Sequence, residues 1–155
     1  MQVKSAPKVL HLILAVALLL GALPVMVSAQ AAPVRSTSVR GELNERFAKH
    51  YLALEPADQT RPLTLVMEYN PQDQSVLDTN AGFYVFDENT FRLVQSGTSP
   101  ARANLAVGSL DTSTGVKRKV VVISRPVGTF TVMPFNDSDV PMSYTLTVDN
   151  GVLID

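Results

Sequence analysis

A short acidic loop, residues 136 to 139, has the clearest potential for metal chemistry in this sequence. Asn136, Asp137 and Asp139 carry side-chain oxygens at neighbouring positions, and oxygen is the ligand that Ca²⁺ prefers. The helical-loop calcium pattern, with its central glycine and terminal glutamate, is absent, and Ca²⁺ needs about six oxygens or more. We therefore predict a calcium site at Asn136, Asp137 and Asp139, or else a solvated turn. No other cofactor is predicted.

Residues for catalysis are few. The chain has no cysteine, His50 is the only histidine after residue 11, and no Gly-x-Ser-x-Gly sequence presents a serine nucleophile. The segment 111–115 is close to the Asp-Thr-Gly signature of aspartic peptidases, but Ser113 stands where that signature needs glycine, so we predict a turn. We predict a non-catalytic protein with a structural His50. The alternative is a small hydrolase that uses Asp111 or the pair Asp137 and Asp139.

Aromatic residues suggest a second kind of site, for a glycan. Tyr69, Tyr84 and Tyr144 occur in segments that alternate like strands, and outward-facing rings could stack on sugars. Without tryptophan, tyrosine is the main candidate for such contacts. The alternatives are a carbohydrate-binding module with Tyr69, Tyr84 and Tyr144 on its surface, or tyrosines half-buried in ordinary sheet packing.

Composition limits the classes of protein that these residues can belong to. The chain has 155 residues, with 13 Lys and Arg against 14 Asp and Glu, for a formal net charge of -1. This length supports one domain with one core. A near-neutral chain lacks the positive field that drives nucleic-acid binding, so we predict no nucleic-acid partner.

The N-terminal segment is predicted to be a secretory signal peptide. Lys4 and Lys8 precede the apolar run 9–23, and small residues follow a proline, which is the order of a cleaved leader. The run is shorter than the roughly 20 apolar residues that span a membrane, although an uncleaved anchor is the alternative. We predict cleavage after Ala29, or alternatively after Ala31, and a secreted or periplasmic product with no stable membrane span.

After the leader, the sequence predicts a flexible linker at 30–40 and an all-β domain at 41–155. Residues 30–40 are small and polar without a period. Beyond them, apolar residues alternate with a period of two, and turn residues separate the runs. Gly82–Phe86 and Phe91–Gln95, joined by residues 87–90, are predicted to form a hairpin. We predict about eight strands in an antiparallel two-sheet β-sandwich of jelly-roll type, with runs at 47–54, 63–69, 82–86, 91–95, 103–107, 120–123, 129–133 and 143–148.

Four of these segments resemble the bacterial pre-peptidase C-terminal domain, a small β-sandwich found on many secreted hydrolases. The similar segments are the opening strand and three strands with alternating aromatic residues, at 47–54, 81–87, 126–132 and 142–148. The resemblance covers roughly residues 41–149. The family's Asp-rich segment is reduced here to Leu77–Asn80. The resemblance implies a non-catalytic, exported module that binds or interacts with a protein or a glycan at the cell envelope.

Overall fold

A computed structural model describes residues 35–155 of the chain. The predicted signal peptide at 1–29, both cleavage positions and residues 30–34 of the predicted linker lie outside the described residues. Two antiparallel sheets with a shared apolar core make up most of the described structure. The prediction of an all-β antiparallel sandwich is confirmed in this sense. No helix within residues 35–155 is long and apolar enough to cross a membrane.

The sandwich consists of a seven-stranded and a five-stranded sheet. Their twelve strands are β1 Arg35–Ser36, β2 Ser38–Leu43, β3 Ala48–Lys49, β4 Leu52–Pro56, β5 Leu63–Asn70, β6 Ala81–Phe86, β7 Ala106–Val107, β8 Ser109–Asp111, β9 Arg118–Ile123, β10 Phe130–Asn136, β11 Met142–Asp149 and β12 Gly151–Ile154. The larger sheet has the order β1-β12-β4-β10-β6-β7, with β3 also paired to β10, and the smaller sheet has the order β2-β11-β5-β9-β8. The described part of the chain also has three helices, α1 Leu77–Asn80, α2 Glu88–Gln95 and α3 Pro100–Ala103.

Alternation along the strands builds the core between the sheets. In β5, every second residue from Leu63 to Tyr69 is fully buried, while Glu68 and Asn70 face solvent. Strand β11 repeats this pattern beside it. Because successive side chains of a strand point to opposite faces, one face of each sheet is apolar and packs against the other. This apolar burial, without any disulfide, is the main source of stability.

The predicted hairpin is wrong in its second half, because Phe91–Gln95 belongs to helix α2. The Asp87 carboxylate accepts a hydrogen bond from the Thr90 backbone N–H, and the Thr90 hydroxyl accepts one from the Asp87 N–H. This reciprocal capping satisfies the exposed amides of a first helical turn. Phe91 and Val94, three positions apart, then pack on Phe86, Met133 and Phe135 on the outer face of the larger sheet. The predicted strand 103–107 is likewise reduced to β7, after helix α3.

The linker prediction is also wrong for residues 35–40. Strand β1 pairs with β12, and β2 pairs with β11 along its whole length. Val39 in β2 is buried in the core. The segment lacks the apolar alternation of the other strands, since it forms edge strands that contribute few side chains to the core.

Gly41 in β2 gives a test of this packing. A Cβ at Gly41 would lie 2.6 Å from Cζ and Oη of Tyr144, and hydrogen bonding to His50 restrains the tyrosine ring. We expect Gly41→Ala to lower the free energy of unfolding by about 1 kcal/mol through overpacking, measured by urea unfolding with circular dichroism. Gly82→Ala is the matched control, since its Cβ would make ordinary contacts at 3.4 Å with Phe135. Equal effects of the two substitutions would contradict overpacking as the cause.

Candidate ligand-binding groove

A row of exposed side chains follows the strand pair β3 and β4 on the outer face of the larger sheet. Phe47, Lys49, Tyr51 and Ala53 are exposed, and the residues between them turn inward or are half-buried. Glu55 continues the same alternation. Since β3 and β4 pair with the same strand, β10, in one register, the row forms one continuous line beside the outward side chains of that strand.

The floor beside this row is aromatic and apolar. Strand β10 places Met133 opposite Tyr84 of β6, and Phe135 opposite Gly82. The rings of Tyr84 and Phe135 stack with centroids 4.6 Å apart and planes 13° apart. The Phe135 ring packs over Gly82, where a Cβ would lie at an ordinary contact distance of 3.4 Å from it. The floor is therefore a preformed surface held by its own packing.

Helices α2 and α3 form the opposite wall of the groove. Phe91 of α2 lies 6.1 Å, centroid to centroid, from Tyr51 of the exposed row. A cavity of about 210 Å³ lies between the row and α3, and its lining includes Phe47, Lys49, Tyr84, Pro100, Phe135 and Asp137. A second cavity of about 360 Å³, lined by both β4 and α2, includes Ala53, Glu55, Phe91, Arg92 and Thr131. We call the cavity of about 210 Å³ the aromatic cleft. The two cavities and the exposed row from Phe47 to Glu55 together form what we call the groove.

Phe47 stands out at the mouth of the aromatic cleft. Its φ is 66°, a left-handed conformation that costs a bulky residue about 1–2 kcal/mol, and its side chain is 61% exposed. The backbone N–H of Phe47 donates to the Asn136 carbonyl at 2.6 Å, and the Arg46 guanidinium lies 4.9 Å from the ring centroid. Strain of this kind is concentrated at functional sites and ligand clamps, so an exposed, strained aromatic residue beside a cavity marks a candidate site.

Two opposite charges flank the aromatic cleft. Lys49 and Asp137 both line it, and within residues 35–155 neither forms an ion pair. Burial, and then the nearby Asp137 carboxylate, raise the pKa of Tyr84 above its ordinary value, so the phenol stays protonated at neutral pH. The cleft thus offers an apolar floor, a hydroxyl and one charge of each sign.

The three predicted ligand-binding tyrosines do not form one surface. Tyr69 and Tyr144 are direct neighbours across β5 and β11, and both rings are buried in the core. Tyr84 alone lies on the outer face, in the floor of the groove. The predicted shared glycan surface is therefore wrong, because Tyr69 and Tyr144 occupy positions of their strands that face the opposite sheet.

In the loop predicted to bind calcium, the side-chain oxygen of Asn136 accepts hydrogen bonds from the loop itself. The Asn136 Oδ1 accepts from the Ser138 N–H at 3.0 Å and from the Ser138 hydroxyl at 2.7 Å, which occupies both lone pairs of an amide oxygen. The exposed Asp139 lies 3.8 Å from Arg46, and Asp137 lines the aromatic cleft. The calcium prediction is thus wrong for Asn136, whose amide is a structural group. No group of three or more His, Asp or Glu residues within 35–155 could hold a metal ion.

Asp111 forms the predicted turn. Its carboxylate accepts from the Ser113 backbone N–H at 2.9 Å and pairs with Arg118 at 2.7 Å, and Gly115 has the φ of 79° that the turn needs. These contacts, those from Ser113 first, hold the pKa of Asp111 at about 2. A carboxylate that stays ionised to pH values near 2 is poorly suited to act as a general acid or base at neutral pH.

His50 takes part in a hydrogen-bonded chain that resembles a catalytic arrangement. Its Nδ1 is hydrogen-bonded to the Tyr144 hydroxyl, and its Nε2 lies 2.9 Å from the Asp155 carboxylate. Burial and the charge of Asp155 raise the pKa of Tyr144 well above the usual value of a phenol. A nucleophile needs the opposite shift. These hydrogen bonds instead hold together the residue after β3, strand β11 and the residue after β12.

A polar cluster around Asp78 was missed from the sequence. The Tyr69 hydroxyl donates to Asp78 Oδ1 at 2.7 Å, Lys117 Nζ donates to Oδ2 at 2.8 Å, and buried Lys119 donates to the Asp78 carbonyl. Lys119 belongs to β9 and Lys117 directly precedes this strand, and their spacing of two positions directs both side chains to the same side. That spacing was the signal for an inward-facing pair. The aromatic residues of the groove were missed for a different reason, since Phe91 was predicted to lie in a strand.

Comparison with protein-family models and with curated proteins gave no match to this chain.

Proposed function

We propose that the protein is an exported, non-catalytic binding module and that the groove on the outer face of its larger sheet is the binding site. The observation that carries this proposal is Phe47, a strained and exposed aromatic residue at the mouth of an apolar cleft. Rigid aromatic anchors at a cavity dominate binding energy in many interfaces. The partner is a protein or a glycan of the cell envelope.

The proposal also covers the jelly-roll connection of the strands and the removal of an N-terminal signal peptide. The strand orders β2-β11-β5-β9 and β4-β10-β6-β7 support a jelly-roll connection of the two sheets. The order of charge, apolar run and small residues at the N-terminus supports export with cleavage after Ala29. The resemblance to the pre-peptidase C-terminal domain supports the role of an accessory module.

Several contacts favour binding over catalysis. Asp111 is held ionised by Ser113 and Arg118, and the Tyr144 phenol has a raised pKa. The hydrolase alternative also names the pair Asp137 and Asp139. Asp137 lines the aromatic cleft, whereas Asp139 lies beside Arg46. A paired acid and base would need both carboxylates to face the same bound substrate.

The test compares Phe47→Ala with Leu110→Ala, which truncates another exposed apolar side chain, on β8 of the smaller sheet. Peptide and glycan arrays are probed with the wild-type protein and both variants. We expect at least one immobilised probe to bind wild type and Leu110→Ala alike, and Phe47→Ala at least tenfold more weakly. The absence of a probe that Phe47→Ala discriminates would overturn the proposal, as would hydrolysis in a broad substrate panel that is lost in Asp137→Ala.

A further inference from the structure

We propose that the groove binds an extended peptide segment of a partner protein, which places one apolar side chain in the aromatic cleft. This inference rests on the proposed function and specifies its ligand. Three observations support it, namely the size of the cleft, the shape of the groove and the unpaired charges at the rim.

The size of the aromatic cleft suits a single side chain. An apolar cavity of about 150 Å³ holds a benzene-sized ring, whereas pockets for whole small molecules measure about 300–1,000 Å³. At about 210 Å³, the cleft lies between these values. It therefore accommodates one aromatic or aliphatic side chain as the anchor of a larger ligand.

The shape of the groove suits an extended chain. The exposed row from Phe47 to Glu55 measures about 26 Å at about 3.3 Å per residue, and the second cavity of about 360 Å³ lies toward its Glu55 end. A peptide that runs beside this row points alternate side chains at the floor. One of them enters the aromatic cleft, and another reaches the second cavity beside Arg92 and Thr131.

The charges and the ring geometry favour a peptide over a neutral sugar. Lys49 and Asp137 flank the cleft without ion-pair partners among residues 35–155, so an acidic and a basic side chain on either side of the anchor would complement them. The stacked pair of Tyr84 and Phe135 presents little open ring face, since Phe135 is only 6% exposed. A sugar would therefore find little ring face to stack on at this floor. At the mouth, the Arg46 guanidinium already lies 4.9 Å from the Phe47 ring centroid.

The test uses the purified, ¹⁵N-labelled protein and defined probes in a chemical-shift titration. N-acetyl-phenylalanine amide and N-acetyl-leucine amide represent the anchor, and glucose and N-acetylglucosamine represent the glycan alternative. We expect the two amides to shift the backbone signals of Phe47, Tyr84 and Met133. Phe47→Ala should weaken this binding at least fivefold, and Leu110→Ala should leave it unchanged.

A second step tests the charges. Two pentapeptides carry phenylalanine at the centre, with glutamate and lysine two positions before and after it, in either order. We expect one order to bind at least fivefold more tightly, and the double variant Lys49→Glu, Asp137→Lys to reverse the preference. Equal binding of the two orders overturns the inference. Shifts at the groove by a sugar but not by the amides also overturn it, while the proposed binding function stands. If no probe shifts the groove, both are overturned.

Discussion

Replacing Asn136 with alanine is expected to lower the free energy of unfolding by about 3 kcal/mol. The fully buried Asn136 amide donates to the Leu43 carbonyl at 2.9 Å and to the Val140 carbonyl at 2.8 Å, and its oxygen accepts both bonds from Ser138. Alanine removes all four of these hydrogen bonds, and each buried group that is left unsatisfied costs about 1–3 kcal/mol. Because Leu43 belongs to the smaller sheet and Asn136 to the larger, the amide also connects the two sheets.

Urea unfolding with and without calcium chloride measures this effect and separates it from metal binding. Asp137→Ala and Asp139→Ala serve as controls in the same loop, and we expect each to change the free energy by less than about 0.5 kcal/mol, with no dependence on calcium. A calcium-dependent stabilisation that disappears in either control would restore the metal interpretation of this loop and would contradict a purely structural role for Asn136.

Asp78→Ala is expected to lower the free energy of unfolding by about 2 kcal/mol at neutral pH. The substitution removes the acceptor of the buried Tyr69 hydroxyl and the partner of Lys117, and it leaves buried Lys119 without a nearby negative charge. An unsatisfied buried donor costs about 1–3 kcal/mol. Asp73→Ala is the control, because it removes the same charge from an exposed position five residues away.

A double-mutant cycle with Tyr69→Phe resolves the contribution of the hydroxyl. We expect a coupling energy of about 1 kcal/mol between the two positions. Additive effects, with no coupling between Tyr69→Phe and Asp78→Ala, would show that the hydrogen bond contributes nothing to stability.

The lowered pKa of Asp78 predicts that the protein becomes less stable at acid pH. Burial by itself would raise the pKa of Asp78, but hydrogen bonds from Lys117 and Tyr69 and the charges of Lys117 and Lys119 lower it below 3.8. A depressed native pKa gives stability that is fully present above pH 3.8 and is lost as the pH falls through the native value. The free energy of unfolding should therefore fall less between neutral pH and pH 2 in Asp78→Ala than in wild type, as measured by urea unfolding at each pH.

The strands that alternate cleanly could be predicted from the sequence, because burial of one face directly imposes a period of two. β5 and β11 are the best examples. The segment Phe91–Gln95 could not be placed in this way, since its apolar residues fit a strand as well as a helix over so short a length. The capping pair of Asp87 and Thr90 was the local signal for the helix.

The groove was harder to predict than the sheets. Tyr84 was among the predicted ligand-binding residues, but Tyr69 and Tyr144 occupy equivalent positions of alternation and face inward. Alternation alone shows which residues share a face without showing which face is outward. Phe47 has a positive φ, which its residue type does not indicate. The floor depends on the pairing of β6 with β10, which are distant in sequence.

The pairing of β1 with β12 has a mechanical consequence. Arg35 lies opposite Ile154, and Ser36 lies opposite Leu153, so the two ends of the described chain emerge side by side at one edge of the larger sheet. Tension between these ends would open the hydrogen-bonded pairs one after another, as in a zipper, rather than load them all together in shear. A module fixed through both ends would yield first at this edge under low force, while the groove, whose floor is formed by β10 and β6 beyond β4, would keep its form.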